Sequence, residues 1–194
     1  MLKTFLIYSH LLATCVALGT LLQTDHKLWR WRKAGLDEGK RAQLAEVQQV
    51  VSLALLALWV TGAALVAQGY LTAGLDYLLN QKLWAKGSVV VLLTCNGVLL
   101  HRLGFPLLHQ APFVALPASA RIRLGLLGAL SMSAWLFAAF LGVARPWNQG
   151  MAYLEVMGIF AALWLLASLV ACWVVSSAGI AGSGETGGGA AESC

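Results

Sequence analysis

Two ionisable side chains, His10 and Lys86, lie inside long apolar runs of the sequence. His10 falls within the run from Leu2 to Thr24, and Lys86 within the run from Leu83 to Leu100. Ionisable groups are costly in hydrocarbon, so their presence in such runs marks candidate functional positions. A third cation, Arg145, follows the fourth apolar run. In a bundle of antiparallel spans all three fall at a similar depth, and we expect them to share one site.

The chemistry available to these side chains is ligation of a porphyrin iron. A neutral imidazole and a neutral amine are both nitrogen donors, and they can bind iron from opposite faces of the ring, while a guanidinium pairs with a propionate. This predicts haem b with His10 and Lys86 as metal ligands and Arg145 as a further cofactor-binding residue. Simpler roles remain open: His10 as a hydrogen bond between helices, Lys86 reaching to the headgroups and Arg145 as an anchor at a helix end.

The elements that must position this site are membrane helices. The chain has 59% hydrophobic and 11% charged residues and a mean hydropathy of +0.75, against about 25% charged residues in an ordinary soluble domain. Each apolar run approaches the roughly 20 residues that cross a bilayer. We predict an all-α polytopic membrane protein with five transmembrane helices, a four-helix bundle core plus one additional helix, with spans at Leu2 to Thr24, Val47 to Gln68, Leu83 to Leu100, Ile122 to Ala144 and Ala152 to Val175.

Residues 1–175 are expected to form a single transmembrane domain, and residues 176–194 a disordered cytoplasmic tail, because Gly, Ser, Ala and Glu dominate them. The five spans leave no room for a separate soluble catalytic domain. The segment Leu36 to Gln49 favours a helical lead into the second span. Three prolines between Arg102 and Arg121 exclude one straight helix there.

The net charge of +5 is explained by membrane topology rather than by nucleic acid. Most Lys and Arg residues follow the first and third spans, and such an excess normally faces the cytoplasm. This predicts a multi-pass protein of the inner (plasma) membrane with its N-terminus outside and its C-terminus cytoplasmic. The residues concerned are Lys27, Arg30, Arg32, Lys33, Lys40, Arg41, Arg102, Arg121 and Arg123, against Lys3, Lys82, Lys86 and Arg145 on the other side.

Within the third span, Lys86 and Gly97 share a helix face, since 11 residues return an α-helix to within about 20°. We therefore expect a neighbouring helix to approach closely at Gly97. A second polar group comprises Asp25, His26, His101 and Arg102 at the predicted cytoplasmic side. It is interpreted either as solvated helix ends or as a metal or second haem site. The cysteines lack metal-ligand spacing, and we infer neither zinc nor disulfides.

Two segments carry a resemblance to a known family. IYSHLLATCVALGTLL resembles the first helix of the HemJ-type membrane protoporphyrinogen oxidases and of the broader CopD-like membrane proteins, and KLWAKGSVVVLLTCNGVLLHR resembles their third helix. GVARPWN is similar to the Lys-Pro ending of the last HemJ helix, with Arg145 in place of that lysine. Asn96 and Gly97 stand where the family tends to have His-Gly. The resemblance covers Met1 to Trp147.

The resemblance implies that His10 is the haem-ligand histidine and Lys86 the lysine of the third helix. It implies a haem b protein that acts as a protoporphyrinogen oxidase or as a quinone-linked electron carrier. The expected partners are porphyrin or quinone and the lipid bilayer, and the protein is expected to act alone, as a homo-oligomer or in a membrane complex. Two alternatives stay open. One is CopD-like copper transport, with His10 and soft ligands at Cys15, Cys95, Met132 and Met157; the other is a non-catalytic accessory subunit.

Overall fold

The chain is an all-helical bundle, described by a computed structural model over residues 1–34, 36–144 and 151–183, with side chains as far as Ser176 in the last helix. Five of its helices are long and apolar enough to cross a membrane, as the sequence predicts. The elements are α1 (Leu2–Trp31), α2 (Glu38–Ala73), the short α3 (Leu75–Leu78), α4 (Gln81–Leu99), a π-helical turn (Leu100–Gly104), α5 (Phe105–Gln110), a 3-10 turn (Phe113–Ala115), α6 (Ala118–Val143) and α7 (Tyr153–Ser183).

Local sequence explains most helix boundaries. Asp37 caps α2 by accepting the Lys40 backbone N–H at 2.9 Å, and Asn80 caps α4 in the same way. Gly74 ends α2 with φ of 64°, a left-handed conformation that glycine adopts without steric cost. α2 begins at Glu38, so the predicted helical lead into the second span is confirmed. After α4 the helical backbone continues through the π-helical turn and α5 to Gln110, and only residues 111–117, with Pro112 and Pro117, interrupt it before α6. The segment from Arg102 to Arg121 is therefore not one straight helix, as expected.

The helices pack as two groups joined through α6. α1 lies along α2, whereas α4 and α7 pack against α6, and α1 also touches α6. The shared core takes residues from all five long helices, among them the fully buried Ala17, Ala85 and Ala134. Alanines at these positions let helix backbones approach closely, as is usual between membrane helices. The rings of Phe137 and Phe160 pack with centroids 5.4 Å apart, so α7 belongs to the core.

The bundle has two ends, which are named here by a residue at each. At the His10 end α1, α4 and α7 begin, and the Gln81 side chain accepts the Tyr153 backbone N–H. At the Trp31 end α2 and α6 begin, and the Arg41 guanidinium donates to the His109 carbonyl at 3.1 Å. Between the ends, large apolar side chains cover the outer faces of the helices, such as Leu56 and Leu169, which are 59% and 68% exposed. Such a belt suits lipid contact.

The rotation of α4 differs from expectation. The side that packs inward carries Lys82, Ala85, Val89, Leu93 and Asn96. Gly97 is exposed, and a Cβ placed on it would meet nothing within 4 Å, so the expected close approach at Gly97 is wrong. The physical reason is hydrogen bonding: the Asn96 amide donates to the Leu127 carbonyl at 3.1 Å, and that bond turns the neighbouring face toward α6.

The last helix continues past the predicted end of the membrane domain. α7 runs to Ser183, eight residues beyond the predicted boundary at residue 175. The rest of the predicted tail, residues 184–194, lies outside the described residues.

Candidate functional site

His10 is held by a hydrogen bond across the first helix pair. Its Nδ1 lies 2.7 Å from the Thr61 hydroxyl oxygen on α2. That hydroxyl is already within 2.6 Å of the Ala57 carbonyl one turn earlier. A threonine hydroxyl carries one proton, and a carbonyl can only accept, so the Thr61 proton goes to Ala57. His10 must therefore donate its Nδ1–H to Thr61.

This arrangement selects the tautomer of His10. A neutral imidazole protonated at Nδ1 has an unprotonated Nε2 with a free lone pair. Metal-binding histidines characteristically donate their other ring N–H to a neighbouring acceptor, which orients the ring and raises its basicity. The Thr61 oxygen supplies that acceptor here. The ring is thus prepared to donate an electron pair through Nε2.

Gly62, next to Thr61, also lies beside the His10 ring. A Cβ built on Gly62 would lie 3.6 Å from His10 Cε1, so the imidazole lies over the side of α2 where Gly62 has no side chain. A side chain larger than alanine at this position would press on the ring. On α1 itself, the Thr14 hydroxyl donates to the His10 carbonyl at 2.9 Å. His10 is therefore fixed by both its ring and its backbone.

Lys86 lies on α4 at the same end of the bundle and is half-buried. It lies within the range over which a charge on its amine would act on the His10 ring. Within the described part of the chain, no hydrogen bond or ion pair engages the Lys86 amine. Helices α1 and α4 are also absent from the closely packed pairs of described helices. The structure thus places His10 and Lys86 at the same end of the bundle, on two helices that do not form a closely packed pair.

Lys82, one turn before Lys86, has a different environment. It is only 3% exposed, and its amine donates to the Ala144 carbonyl at the end of α6. In the sequence, Lys82 is counted only among the basic residues of the predicted outer side. Thr61 and Gly62 of the second span are expected from sequence to pack rather than to react, because small residues allow close approach of helices. The one signal for Thr61 was a hydroxyl residue beside a glycine in an otherwise apolar span.

Of the other predicted residues, Arg145 lies outside the described residues. The others, including the carboxylate Glu155 near the start of the fifth span, form no described hydrogen bond or ion pair with His10 or Lys86. Glu155 accepts the Ala152 backbone N–H at 2.9 Å and so caps the start of its own helix, α7. Asp25 and His26 are exposed near the end of α1, and His101 and Arg102 are exposed on the π-helical turn. Among the residues that the structure describes, no three His, Cys, Asp or Glu side chains are grouped to hold a metal ion.

A separate cavity of about 300 Å³ lies at the Trp31 end. Its walls come from residues 21–34 and 36 of α1 and the loop after it, Val47 of α2, residues 100–113 of the π-helical turn, α5 and the following loop, residues 124–132 of α6 and residues 171–175 of α7, and they are almost entirely apolar. Asp25 and Arg32 are the charged residues that line it. Periodicity gave no sign of this cavity, because it is formed by five segments that are distant in sequence.

The two places differ in what they can do chemically. The His10 end places an imidazole, with one ring nitrogen held by Thr61, at the same end of the bundle as a half-buried amine. The Trp31 end offers an apolar volume with one carboxylate, which suits a small lipid-soluble molecule. Comparison of the chain with protein-family models, with curated proteins and with solved structures finds no match.

Proposed function

We propose that this protein binds haem b at the His10 end of the bundle, where His10 Nε2 and the Lys86 amine would hold its iron. The observation that carries the proposal is the 2.7 Å contact between His10 Nδ1 and the Thr61 hydroxyl oxygen, whose own proton is directed to the Ala57 carbonyl, because this pattern assigns the ring proton to Nδ1 and leaves Nε2 as the electron-pair donor. The two residues come from α1 and α4, so a bound ring would lie between these helices. As in the sequence-based hypothesis, the protein would be similar to the HemJ-type or CopD-like proteins.

The imidazole of His10 and the amine of Lys86 are nitrogen donors that fit a haem iron. An imidazole with its second nitrogen bonded to a protein acceptor is the usual form of a metal-bound histidine. Lys86 has no described partner to release before it ligates, and a half-buried amine is more readily obtained in its neutral, ligating form than a solvated one. When bound, haem supplies one-electron chemistry, and the apolar surroundings of the site exclude water from it.

Two roles follow for such a site. The protein can serve as an electron carrier linked to quinone, or as an oxidoreductase of the protoporphyrinogen oxidase type. In both, His10 and Lys86 orient the cofactor, and Thr61 holds His10. Arg145 is proposed as the partner of a propionate, since guanidinium groups pair with carboxylates in a bidentate geometry.

The proposed orientation places the His10 end outside and the Trp31 end in the cytoplasm of a cell with an inner membrane. It is supported by the basic residues at the Trp31 end, notably Arg30, Arg32 and Arg41. Haem would then lie close to the outer face of the membrane, and the cavity close to the inner face. Accessibility labelling of cysteines introduced at each terminus would test this orientation in intact cells.

An absorption spectrum is the direct test of the haem site. The full-length protein, purified in detergent from cells supplied with a haem precursor, is expected to show a b-type spectrum that changes on reduction with dithionite. His10→Ala and Lys86→Ala should abolish or shift it, because each removes an axial ligand. His109→Ala and Lys3→Ala are matched controls, since both side chains are exposed, and they should leave the spectrum unchanged.

The outcomes separate the alternatives. A colourless wild-type protein would overturn the haem proposal. A spectrum unaffected by His10→Ala would overturn His10 as a ligand. Loss of the spectrum in His10→Ala alone, with Lys86→Ala unchanged, would overturn the second ligand and leave an open axial position.

A further inference from the structure

The apolar cavity at the Trp31 end has the size of a small-ligand site. Its volume of about 300 Å³ is at the lower limit for ligand pockets. A cavity of about 150 Å³ is enough to hold a benzene molecule, so twice that volume holds one substituted ring with the beginning of a tail. The aromatic side chains of Trp29, Trp31, Phe105 and Phe113 are part of its lining.

On the side of the loop after α5, a backbone hydrogen bond holds the wall of the cavity in place. The backbone N–H of Val114 donates to the Arg32 carbonyl at 3.2 Å, which ties the 3-10 turn to the end of α1. The π-helical turn from Leu100 to Gly104 forms another part of the wall. A Cβ at Gly104 would come within 3.1 Å of the Leu100 side chain, so the wall is tightly packed there. π-helical turns are frequent at functional sites, so this wall is consistent with a binding role for the cavity.

Asp25 is the polar feature of the cavity. Asp25 is an exposed residue that lines the cavity, and none of the described residues forms a hydrogen bond or ion pair with its carboxylate. Arg32, the other charged residue of the lining, is engaged elsewhere: its guanidinium donates to the Trp29 carbonyl at 2.7 Å and lies 4.3 Å from the centre of the Trp29 ring. The cavity therefore presents one acceptor without a partner amid apolar walls.

We propose that this cavity binds the head ring of a lipid-soluble hydroquinone, with a ring hydroxyl donating to the Asp25 carboxylate. The volume accepts one ring, the aromatic walls favour its faces, and the carboxylate offers an acceptor to a ligand with a hydrogen-bond donor. An apolar tail would continue among the helices into the lipid. The inference assigns a binding site to the quinone partner of the proposed electron carrier, and in that role it rests on the proposed function. The binding itself does not require haem.

One glycine in the cavity wall allows a precise test. A Cβ at Gly128 of α6 would meet nothing within 4 Å, so Gly128→Leu can fill the cavity without displacing a neighbour at its first atom. Gly142, on the same helix, is equally open but does not line the cavity, so Gly142→Leu is its matched control. Asp25→Leu removes the acceptor while keeping an apolar side chain of similar length.

The experiment measures binding of 2-decylhydroquinone to the purified full-length protein by titration calorimetry in detergent without haem, with the dimethyl ether of the same compound as a probe that lacks donors. We expect saturable binding of one molecule per chain, at least tenfold weaker for the ether and for Asp25→Leu. Binding should be lost in Gly128→Leu and retained in Gly142→Leu. Melting curves of each variant report whether it is folded.

Each other result overturns the proposal or part of it. Non-saturable uptake, or equal binding by Gly128→Leu, would show that the cavity is not the site. Equal binding of the hydroquinone and its ether would overturn the hydroxyl contact with Asp25 and point to an acyl chain as the occupant. A protein that binds the hydroquinone but shows no haem spectrum would overturn the haem proposal alone, so the two failures are distinguishable.

Discussion

Replacing Thr61 by valine tests whether a single hydroxyl prepares His10 to bind a metal. Valine has nearly the same shape as threonine but lacks the oxygen that lies 2.7 Å from His10 Nδ1. The ring would lose the acceptor that selects its tautomer and holds its orientation. Loss of such a partner commonly weakens metal binding by about tenfold to a hundredfold, or about 1.4 to 2.8 kcal/mol. We expect haem affinity to fall by a factor in that range.

The size of the effect on folding follows from the same contact. An unsatisfied buried donor costs about 1–3 kcal/mol, and since His10 is only half-buried, we expect about 1 kcal/mol in the free energy of unfolding. The change in haem affinity should therefore be larger than the change in stability. That difference separates an effect on the ligand from a general loosening of the helix pair.

The assay is a titration of the haem-free protein in detergent, followed by the haem absorption band. Thr61→Ser keeps the hydroxyl and should bind as the wild type does. Thr14→Val is a second control, because the Thr14 hydroxyl contacts the His10 carbonyl and not its ring. NMR of isotope-labelled histidine in the haem-free protein should show Nδ1 protonated in the wild type and a mixture of tautomers in Thr61→Val.

The reasoning would be refuted if Thr61→Val bound haem as tightly as Thr61→Ser. It would also be refuted if the wild-type His10 proved to be protonated at Nε2 in the absence of haem. Either result would reduce the contact between His10 and Thr61 to ordinary cohesion between helices.

The other predictions concern stability. Leu141 is 0% exposed, so Leu141→Ala should leave a cavity and lower the free energy of unfolding by about 2–4 kcal/mol. Leu169 is 68% exposed, so Leu169→Ala should change that free energy little. Denaturant unfolding in mixed micelles would measure both. At Asp37, the backbone N–H of Lys40 and its ion pair hold the pKa of the carboxyl below its ordinary value. Its stabilising contribution should therefore be complete above about pH 4 and be lost as the pH falls through the depressed pKa. Unfolding of Asp37→Ala should lack this acid-dependent component, and an identical pH profile in wild type and variant would contradict the assignment.

The sequence alone was sufficient to predict the number and approximate positions of the long helices. Five apolar runs of adequate length predict five spans because the bilayer imposes length and hydropathy on every helix separately. The helical lead into α2 and the interruption near Pro112 and Pro117 also depend on neighbouring residues only, and the structure agrees, whereas the helix continues through Pro106. The predicted haem site remains a hypothesis, since it rests on residue types and on a resemblance.

Tertiary structure alone decided how those helices face one another. The inward side of α4 carries Asn96 instead of Gly97 because the amide finds the Leu127 carbonyl of α6, a partner 31 positions away. Thr61 became the partner of His10 only through the pairing of α1 with α2. The cavity beside Asp25 required five segments to converge at one end of the bundle. Helix rotation depends on side-chain packing and polar contacts between distant residues, whereas helix formation in a membrane depends on local hydrophobicity and backbone hydrogen bonds.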